Sequence, residues 1–299
     1  MTIIAGFKSY EGIVLCADTQ ETVGDAKRSI PKLRFEPNDK ADSGAPIDEL
    51  AVAFCGAGNN GVFMDEMVDR AWEEAQGATS LDQACELIKR SIKIHHKEAK
   101  QLYFPQSMPD TELIYGVKMH RDSRLFYALG PSIIEKSGYA TGGLGLYLAD
   151  FLASRMYREH LNMRQCVILA AYVLFEAKEH VNDCGGDSHI AILREDGPSG
   201  RVDWHRIEKL TELLKWADDD IGKLLLDVAD LESGDAEFRN SVDLTVKVLE
   251  GLRDSKRQEI RDHASMVKAM FAHPDIPRPD EDEYGFAMPS DDQKEEPEQ

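Results

Sequence analysis

The order in which strand-like and helix-like segments follow one another is the feature that most limits what this chain can fold into. Short apolar runs typical of strands alternate with segments whose apolar residues recur at helical spacing. The order is strands, two helices, strands, two helices, strands, and the five blocks cover residues 2–55, 60–103, 113–134, 146–181 and 188–207. Segregated blocks of this kind predict antiparallel sheets with helix layers outside them, rather than an alternating βα chain.

Three regions are predicted along the chain. Residues 2–207 contain the strand and helix blocks and are expected to form one domain, and residues 208–271 show helical periodicity and are expected to form a helical extension. From residue 274 onward, ten acidic residues stand against two basic ones, and there are five prolines. Residues 272–299 are therefore predicted to be an acidic, disordered tail.

Charge and composition exclude several classes of function. A formal net charge of −20 argues against a nucleic-acid partner, which requires clustered Lys and Arg. No run of about 18 apolar residues is present, so no membrane span is expected. The first residues lack the pattern of a secretory signal, and a cytoplasmic location is expected.

The cysteines and histidines do not indicate a metal centre. Five cysteines are scattered without CxxC spacing, a pattern that favours reduced, buried thiols over a disulfide framework. His95 and His96 are neighbours and cannot share one face of a helix, because successive residues point about 100° apart. No metal and no cofactor are expected.

Thr2 directly follows the initiator Met1. A small second residue allows removal of the methionine, which would leave a free α-amine on Thr2 itself. That amine titrates near about pH 8, so a useful fraction is neutral at physiological pH and can accept the hydroxyl proton. Thr2 is therefore a candidate nucleophile that carries its own base.

Two further residues are candidates for the same site. Thr2 begins a predicted strand, Asp18 ends the neighbouring strand of a predicted hairpin, and Lys32 begins the next one. In one antiparallel sheet these positions could meet at a single edge. Lys32 would then favour a neutral amine and an ionisable hydroxyl, and Asp18 would hold Lys32 charged and in place. Taken singly, Asp18 is better interpreted as a turn residue at a strand end, and Lys32 as a solvated cation.

The opening of the chain resembles that of proteasome β-type subunits and the related HslV-type peptidases. The resemblance covers residues 2–207, and the segments that carry it are Thr2-Ile3-Ile4-Ala5-Gly6, Gly12-Ile13-Val14-Leu15-Cys16-Ala17-Asp18, Thr22, Lys32-Leu33, Ala53-Phe54-Cys55-Gly56, Ile114-Tyr115-Gly116 and Gly185-Gly186. It implies an α+β fold, a four-layer αββα sandwich of antiparallel sheets of the N-terminal nucleophile hydrolase type. The C-terminal helical extension lies outside the resemblance and is predicted from periodicity alone.

The resemblance also implies roles for individual residues. Thr2 matches the nucleophile, Asp18 the supporting carboxylate, Lys32 the catalytic lysine, and Gly56 the glycine whose N–H contributes to the oxyanion hole. Thr22 matches a position that pairs with the substrate backbone. The walls of the substrate pocket would include Glu21, Ile30, Phe54 and Gly58.

Three positions depart from the pattern of active family members. Such members carry a serine in the glycine-rich turn, which here reads Gly142-Gly143-Leu144-Gly145. A supporting aspartate and serine become Val181 and Cys184 when matched by spacing. The Thr2/Asp18/Lys32 set is present while its surroundings are altered, and Thr141 is a candidate to compensate for the missing serine.

The resulting hypothesis is a cytoplasmic threonine endopeptidase that acts on peptides or unfolded proteins. The resemblance implies homo-oligomeric rings, with an ATPase unfoldase ring as a partner. Two alternatives remain open: a proteasome-fold scaffold or interaction protein with little or no catalysis, and an amidase of the same class that acts on small molecules.

Overall fold

A computed structural model describes residues 2–23, 26–37, 49–103 and 109–229, together with 234, 236, 238–240, 242–247 and 250–251. It divides into two compact units, the first ending at Asp218 and the second beginning at Asp219. The predicted tail, 272–299, lies outside the described residues, as do parts of the predicted helical extension.

The strands all pair in the antiparallel sense. In chain order they are β1 (Ile3–Ser9), β2 (Gly12–Asp18), β3 (Gln20–Val23), β4 (Ala26–Ser29), β5 (Leu33–Glu36), β6 (Ala51–Gly58), β7 (Thr111–Met119), β8 (Asp122–Leu129), β9 (Ser132–Lys136), β10 (Tyr139–Gly143), β11 (Ser188–Arg194) and β12 (Gly200–Arg201). Two five-stranded sheets have the orders β10-β1-β2-β11-β12 and β5-β6-β7-β8-β9, and β3 and β4 form a two-stranded sheet.

Helices cover the outer faces of the two sheets. They are α1 (Gly61–Ala75), α2 (Leu81–Tyr103), α3 (Leu146–Met156), α4 (Met163–His180) and α5 (Trp204–Ala229). Buried side chains of α1 and α2 share one apolar cluster with β6, β7 and β8, whereas those of α3 and α4 share another with β1, β2 and β11. A third cluster lies between the sheets. The fold is therefore the four-layer αββα sandwich that the block order and the resemblance predicted.

The β1–β2 hairpin shows how the sequence produces this layering. Successive side chains of a strand point to opposite faces, and here both faces are covered. Ile3 and Phe7 join the cluster under the helices, whereas Ile4 joins the cluster between the sheets. At Gly6, a Cβ atom would come within 2.9 Å of Ile114 and Leu125 on the opposite sheet, so the sheets approach closely at this point. A strand apolar on both faces is the expected result.

One predicted strand is largely a helix. Residues 201–207 were expected to be a strand, but β12 ends at Arg201 and α5 begins at Trp204. Asp203 accounts for the change, because its side chain accepts a hydrogen bond from the His205 N–H at 3.0 Å and its carbonyl accepts one from the Arg206 N–H at 3.1 Å. An aspartate in this position caps the free N–H groups of a helix start.

No helix in the described part of the chain has the length and the apolar character that a membrane crossing requires.

Candidate active site

Asp18, the last residue of β2, is fully buried and fully hydrogen-bonded. Its Oδ1 accepts hydrogen bonds from the Ile3 N–H at 3.1 Å and from Lys32 Nζ at 2.8 Å. Its Oδ2 accepts one from the Gly185 N–H at 3.0 Å. A carboxylate removed from water requires such donors, and three are present. Asp18 thereby ties together the start of β1, the start of β5 and the turn before β11.

Lys32 lies just before β5, and its side chain is only 9% exposed. Besides the ion pair with Asp18, its Nζ donates a hydrogen bond to the Gln20 carbonyl. Burial lowers the pKa of Lys32 below its usual value, and the opposite charge and hydrogen bond of Asp18 act in the other direction. The lysine is thus fixed in place, with an amine that releases its proton more readily than a solvated lysine does.

Thr2 lies at the start of β1 and is 5% exposed. The N–H of the following Ile3 is bound by Asp18, and the Thr2 carbonyl accepts a hydrogen bond from the Gly145 N–H at 3.3 Å. Gly143 has a φ of +81°, and a Cβ atom there would lie 2.2 Å from the Thr2 carbonyl oxygen. Only glycine fits at this position. The backbone of Thr2 is therefore held between Asp18 and the glycine-rich turn.

Gly56 of β6 lies on the same cleft, but its N–H already has a partner. It donates a hydrogen bond to the Lys32 carbonyl at 3.0 Å and so continues the pairing of β5 with β6. The oxyanion-hole role that the resemblance implied requires this N–H to point at a substrate oxygen. In this structure it is engaged elsewhere, and of the implied roles this one has the least geometric support.

A single cleft brings together most of the predicted site residues. Its lining includes Thr2, Lys32 and Gly56, and the four predicted pocket residues Glu21, Ile30, Phe54 and Gly58. Asp18 is not part of the lining, because it lies buried behind Lys32. Thr22 is not part of it either. Its hydroxyl oxygen is buried, and no hydrogen-bond partner for it is found among the described residues.

Sequence reasoning missed part of the cleft wall. Arg34 follows Lys32 by two residues, and this period places both side chains on one face of the strand. Its guanidinium pairs with Glu36 at 3.0 Å and with Asp69 at 2.6 Å. Burial raises the pKa of the nearby Asp65, against the opposing effect of Arg34. Four further missed residues lie on one face of α1, at the helical spacing that could have identified them: Gly61, Met64, Asp65 and Val68. The others are Pro31, Asn60 and Leu113.

The altered positions 181 and 184 lie in the segment that follows α4. Val181 caps the C-terminal end of α4, and its carbonyl accepts a hydrogen bond from the Cys184 N–H at 2.9 Å. The Cys184 sulfur would lie 3.3 Å from a Cβ atom at Gly145. Burial raises the pKa of Cys184 to about 12, so the thiol stays protonated at neutral pH. All five cysteines are buried and free, as the sequence predicted.

The hydroxyl of Thr141, the residue expected to compensate for the missing serine, donates a long hydrogen bond of 3.5 Å to Asp150 of α3. Among the described residues, no group of three or more His, Cys, Asp or Glu side chains could hold a metal ion.

Comparison with known proteins shows a likeness in fold. No family model matches the sequence, and no curated protein matches it. A mutant of Anbu from Hyphomicrobium sp. strain MC1 is 16% identical, with a TM-score of 0.59 over 79% of this chain and 100% of that one. Anbu from Yersinia bercovieri, described as an ancestral beta-subunit, is 15% identical, with a TM-score of 0.59 over 78% and 99% of the two chains.

A third neighbour is the helical assembly of the Anbu complex from Pseudomonas aeruginosa. Its chain is 14% identical to this one, with a TM-score of 0.59 over 74% of this chain and 96% of that one. Identities this low show that the fold is shared, and the fold alone does not determine the activity.

These neighbours correct the family that the sequence suggested. The opening motifs resemble proteasome β-type and HslV-type peptidases, but the neighbours in structure are Anbu proteins, which are proteasome-like and form a distinct family. That assignment is therefore wrong, although the fold it implied is right. The error has a physical basis. Short motifs at strand ends are determined by the architecture that these families share, and they therefore do not distinguish one family from another.

Proposed function

We propose that this chain is a threonine-type endopeptidase whose nucleophile is the hydroxyl of Thr2 after removal of Met1. The observation that carries the proposal is that Thr2 shares one cleft with Lys32, which is paired at 2.8 Å with the buried Asp18. Thr2 and Lys32 are distant in sequence and yet line one cleft, which supports a role for both in the reaction of an N-terminal nucleophile.

The proposed reaction needs no group from outside the chain except water. The Thr2 hydroxyl oxygen attacks the carbonyl carbon of the scissile peptide bond, while its proton passes to the α-amine of Thr2. The C–N bond then breaks, the departing amine takes that proton, and Thr2 carries the acyl group as an ester. Water, deprotonated by the same α-amine, hydrolyses the ester and restores the hydroxyl.

Lys32 and Asp18 prepare the nucleophile in this proposal. A cation beside the cleft stabilises the developing negative charge and lowers the pKa of a neighbouring amine. Asp18 keeps Lys32 in one position through the direct ion pair and holds the backbone next to Thr2 through the Ile3 N–H. For Gly56 to bind the oxyanion, its N–H must exchange the Lys32 carbonyl for the substrate oxygen.

We propose peptides or unfolded proteins as substrates, and a homo-oligomer of this chain as the working particle. The helical assembly described for Pseudomonas aeruginosa Anbu supports the oligomer. So do two exposed aromatic side chains on α3, Tyr147 at 87% and Phe151 at 57%, which lie four residues apart on one helix face. The free, buried cysteines support a reducing compartment such as the cytoplasm.

The domain organisation that we propose follows the sequence analysis: a peptidase domain over 2–207, a helical extension over 208–271 and an acidic tail over 272–299. Helix α5 begins at Trp204, slightly before the proposed boundary.

A scaffold with little catalysis is the second candidate, and one observation favours it. The Gly56 N–H is occupied by the Lys32 carbonyl, so no oxyanion donor is prepared at that position. Preorganised donors of this kind usually contribute about 3–4 kcal/mol of transition-state stabilisation each.

Thr2→Ala tests the nucleophile, and Thr2→Ser is the matched control. Both small residues permit removal of Met1, and only Ser keeps a hydroxyl. We expect peptide hydrolysis to fall by about 10³-fold or more in Thr2→Ala and to persist in Thr2→Ser. The measurement is cleavage of a panel of fluorogenic peptides, and the intact mass of each protein establishes whether Met1 is absent.

The outcomes separate the candidates. Equal cleavage by wild type and Thr2→Ala would exclude Thr2 as the nucleophile. A wild-type protein that lacks Met1 and cleaves no peptide would favour the scaffold, unless it hydrolyses small amides, which would favour the amidase.

A further inference from the structure

Glu112 of β7 joins the two sheets next to Thr2. It belongs to the second sheet, where its register partners are Ala57 on β6 and Leu129 on β8. Its carboxylate reaches the first sheet, where Oε2 accepts a hydrogen bond of 2.6 Å from the N–H of Gly143. Neither the opening motifs nor the roles implied by the resemblance involve this residue.

The second carboxylate oxygen is also occupied. Oε1 accepts a hydrogen bond of 2.5 Å from the Tyr127 hydroxyl, which lies on the neighbouring strand β8. Burial, and then this hydrogen bond to Glu112, raise the pKa of Tyr127, so the phenol remains a donor throughout the neutral range. Charge-assisted bonds of this length are stronger than neutral ones. Glu112 is therefore fixed from both sides.

Two glycines allow the carboxylate to come this close to the turn. A Cβ atom at Gly142 would lie 2.7 Å from the Glu112 carboxyl carbon, and one at Gly143 would lie 2.2 Å from the Thr2 carbonyl oxygen. The end of β10, which carries the first two glycines of the glycine-rich turn, thus lies between Glu112 on one side and the Thr2 backbone on the other. Gly145 completes the contact through its hydrogen bond to the Thr2 carbonyl.

We infer that Glu112 is a positioning residue for the Thr2 nucleophile. It binds the glycine-rich turn through the Gly143 N–H, and the turn binds the Thr2 carbonyl through the Gly145 N–H. It thereby supplies from the opposite sheet a polar anchor for the turn that lacks a serine of its own. The inference rests on the proposed function, because positioning has a catalytic meaning only if Thr2 reacts. A displacement of about 1 Å at a reacting group can cost about 10²-fold in rate.

The test compares Glu112→Ala with Glu112→Gln, and Glu195→Ala is the matched control. Glu195 accepts a hydrogen bond of 2.7 Å from the hydroxyl of Ser123, and Ser123 lies on β8, the strand that also carries Tyr127. This bond does not involve the glycine-rich turn. Removal of its side chain deletes a comparable carboxylate–hydroxyl bond. Glu112→Gln keeps an amide oxygen that can accept the Gly143 N–H, whereas Glu112→Ala keeps no acceptor.

We expect kcat for peptide cleavage to fall by about 10- to 100-fold in Glu112→Ala, with KM changed by less than about twofold, because substrate contacts are left intact. Glu112→Gln should recover most of the loss, and Glu195→Ala should match wild type. Amide hydrogen exchange should be faster in the peptide spanning residues 139–146 for Glu112→Ala only, since the Gly143 N–H has lost its acceptor.

Three results would overturn the inference. One is an unchanged kcat in Glu112→Ala when the wild type is active. Another is a Glu112→Gln variant as impaired as Glu112→Ala, and the third is an equal loss in Glu195→Ala, which would indicate general destabilisation. A wild type that cleaves no peptide would instead reject the proposed function, and with it the catalytic role of Glu112.

Discussion

At the scale of single residues, the Asp18–Lys32 pair is asymmetric. Asp18 is completely buried, whereas Lys32 is part of the cleft lining, with 9% of its side chain exposed. Asp18 also holds two backbone N–H groups, so its position does not depend on Lys32 alone. The two partners should therefore respond differently to removal, although a buried pair as a whole is weak support for stability.

We expect Lys32→Met to be the more destabilising of two substitutions in this pair. It leaves a fully buried carboxylate without a cation, a change that typically costs about 3–5 kcal/mol. Asp18→Asn should cost less, because burial has already lowered the pKa of Lys32 and the lysine can lose its proton or face the cleft. The measurement is the free energy of unfolding in urea at pH 7. A larger loss in Asp18→Asn would show that the hydrogen bonds of Asp18, rather than its charge balance, dominate.

The sequence could predict some of these residues and not others. Thr2, Asp18 and Lys32 stand at strand ends, where an antiparallel hairpin and its neighbour leave little choice of position, and the structure places them together. No sequence pattern identified Glu112, because its hydrogen bond to Gly143 depends on the distance and rotation between the two sheets. The Gly56–Lys32 bond likewise depends on a strand register that the sequence does not reveal.

At the scale of elements, two histidines of α2, His95 and His96, pack against α1. His96 of α2 is buried, with its Nε2 atom 3.3 Å from the Thr111 hydroxyl. The ring of Phe63 on α1 lies 4.4 Å from that of His95 and 5.4 Å from that of His96. Burial lowers the pKa of both histidines. Because α1 also lines the cleft, the protonation of this pair concerns the site as well as the fold.

We expect the free energy of unfolding to fall as the pH is lowered from 7 to 5. The folded-state pKa of each histidine lies below its unfolded value, so between the two values the unfolded chain binds more protons. The stability present above about pH 6.5 is then lost as the pH falls. The total loss is about 1.4 kcal/mol for each unit by which folding lowers the pKa of a histidine. Urea denaturation at both pH values should show a smaller decrease in His96→Leu than in wild type. The exposed His160→Gln is the control, and an identical decrease in all three proteins would contradict the assignment.

The elements themselves were largely predictable, and the exceptions have local causes. The apolar periodicity of α1, α2 and α4 and the alternation in the hairpin determine those elements almost to the residue. The β3–β4 ribbon lies within the first predicted strand block, but its pairing has no strong apolar pattern from which its position could be predicted. The start of α5 was missed because the capping role of Asp203 competes with the alternation of Val202 and Trp204, which suits a strand equally well.

At the scale of the whole molecule, assembly should depend on α3, because that helix carries the exposed aromatic side chains Tyr147 and Phe151. Rings were expected from the sequence, whereas the Anbu complex of Pseudomonas aeruginosa is described as a helical assembly. Whether identical contacts close into a ring or continue into a helix depends on the rotation that relates neighbouring subunits. A closed ring has one mass, and an open helix has a mass that grows with concentration.

We expect light scattering at micromolar concentration to show a particle several times the 33.5 kDa mass of the chain. Tyr147→Glu should reduce that mass, because a carboxylate in the middle of an apolar contact must lose its water without gaining a partner. Tyr10→Glu is the control, since Tyr10 is a comparably exposed aromatic residue in the turn after β1. An unchanged particle in Tyr147→Glu would place the contact elsewhere on the surface. A wild-type monomer would instead remove the support for a proteasome-like particle, and any peptidase activity would then belong to the isolated chain.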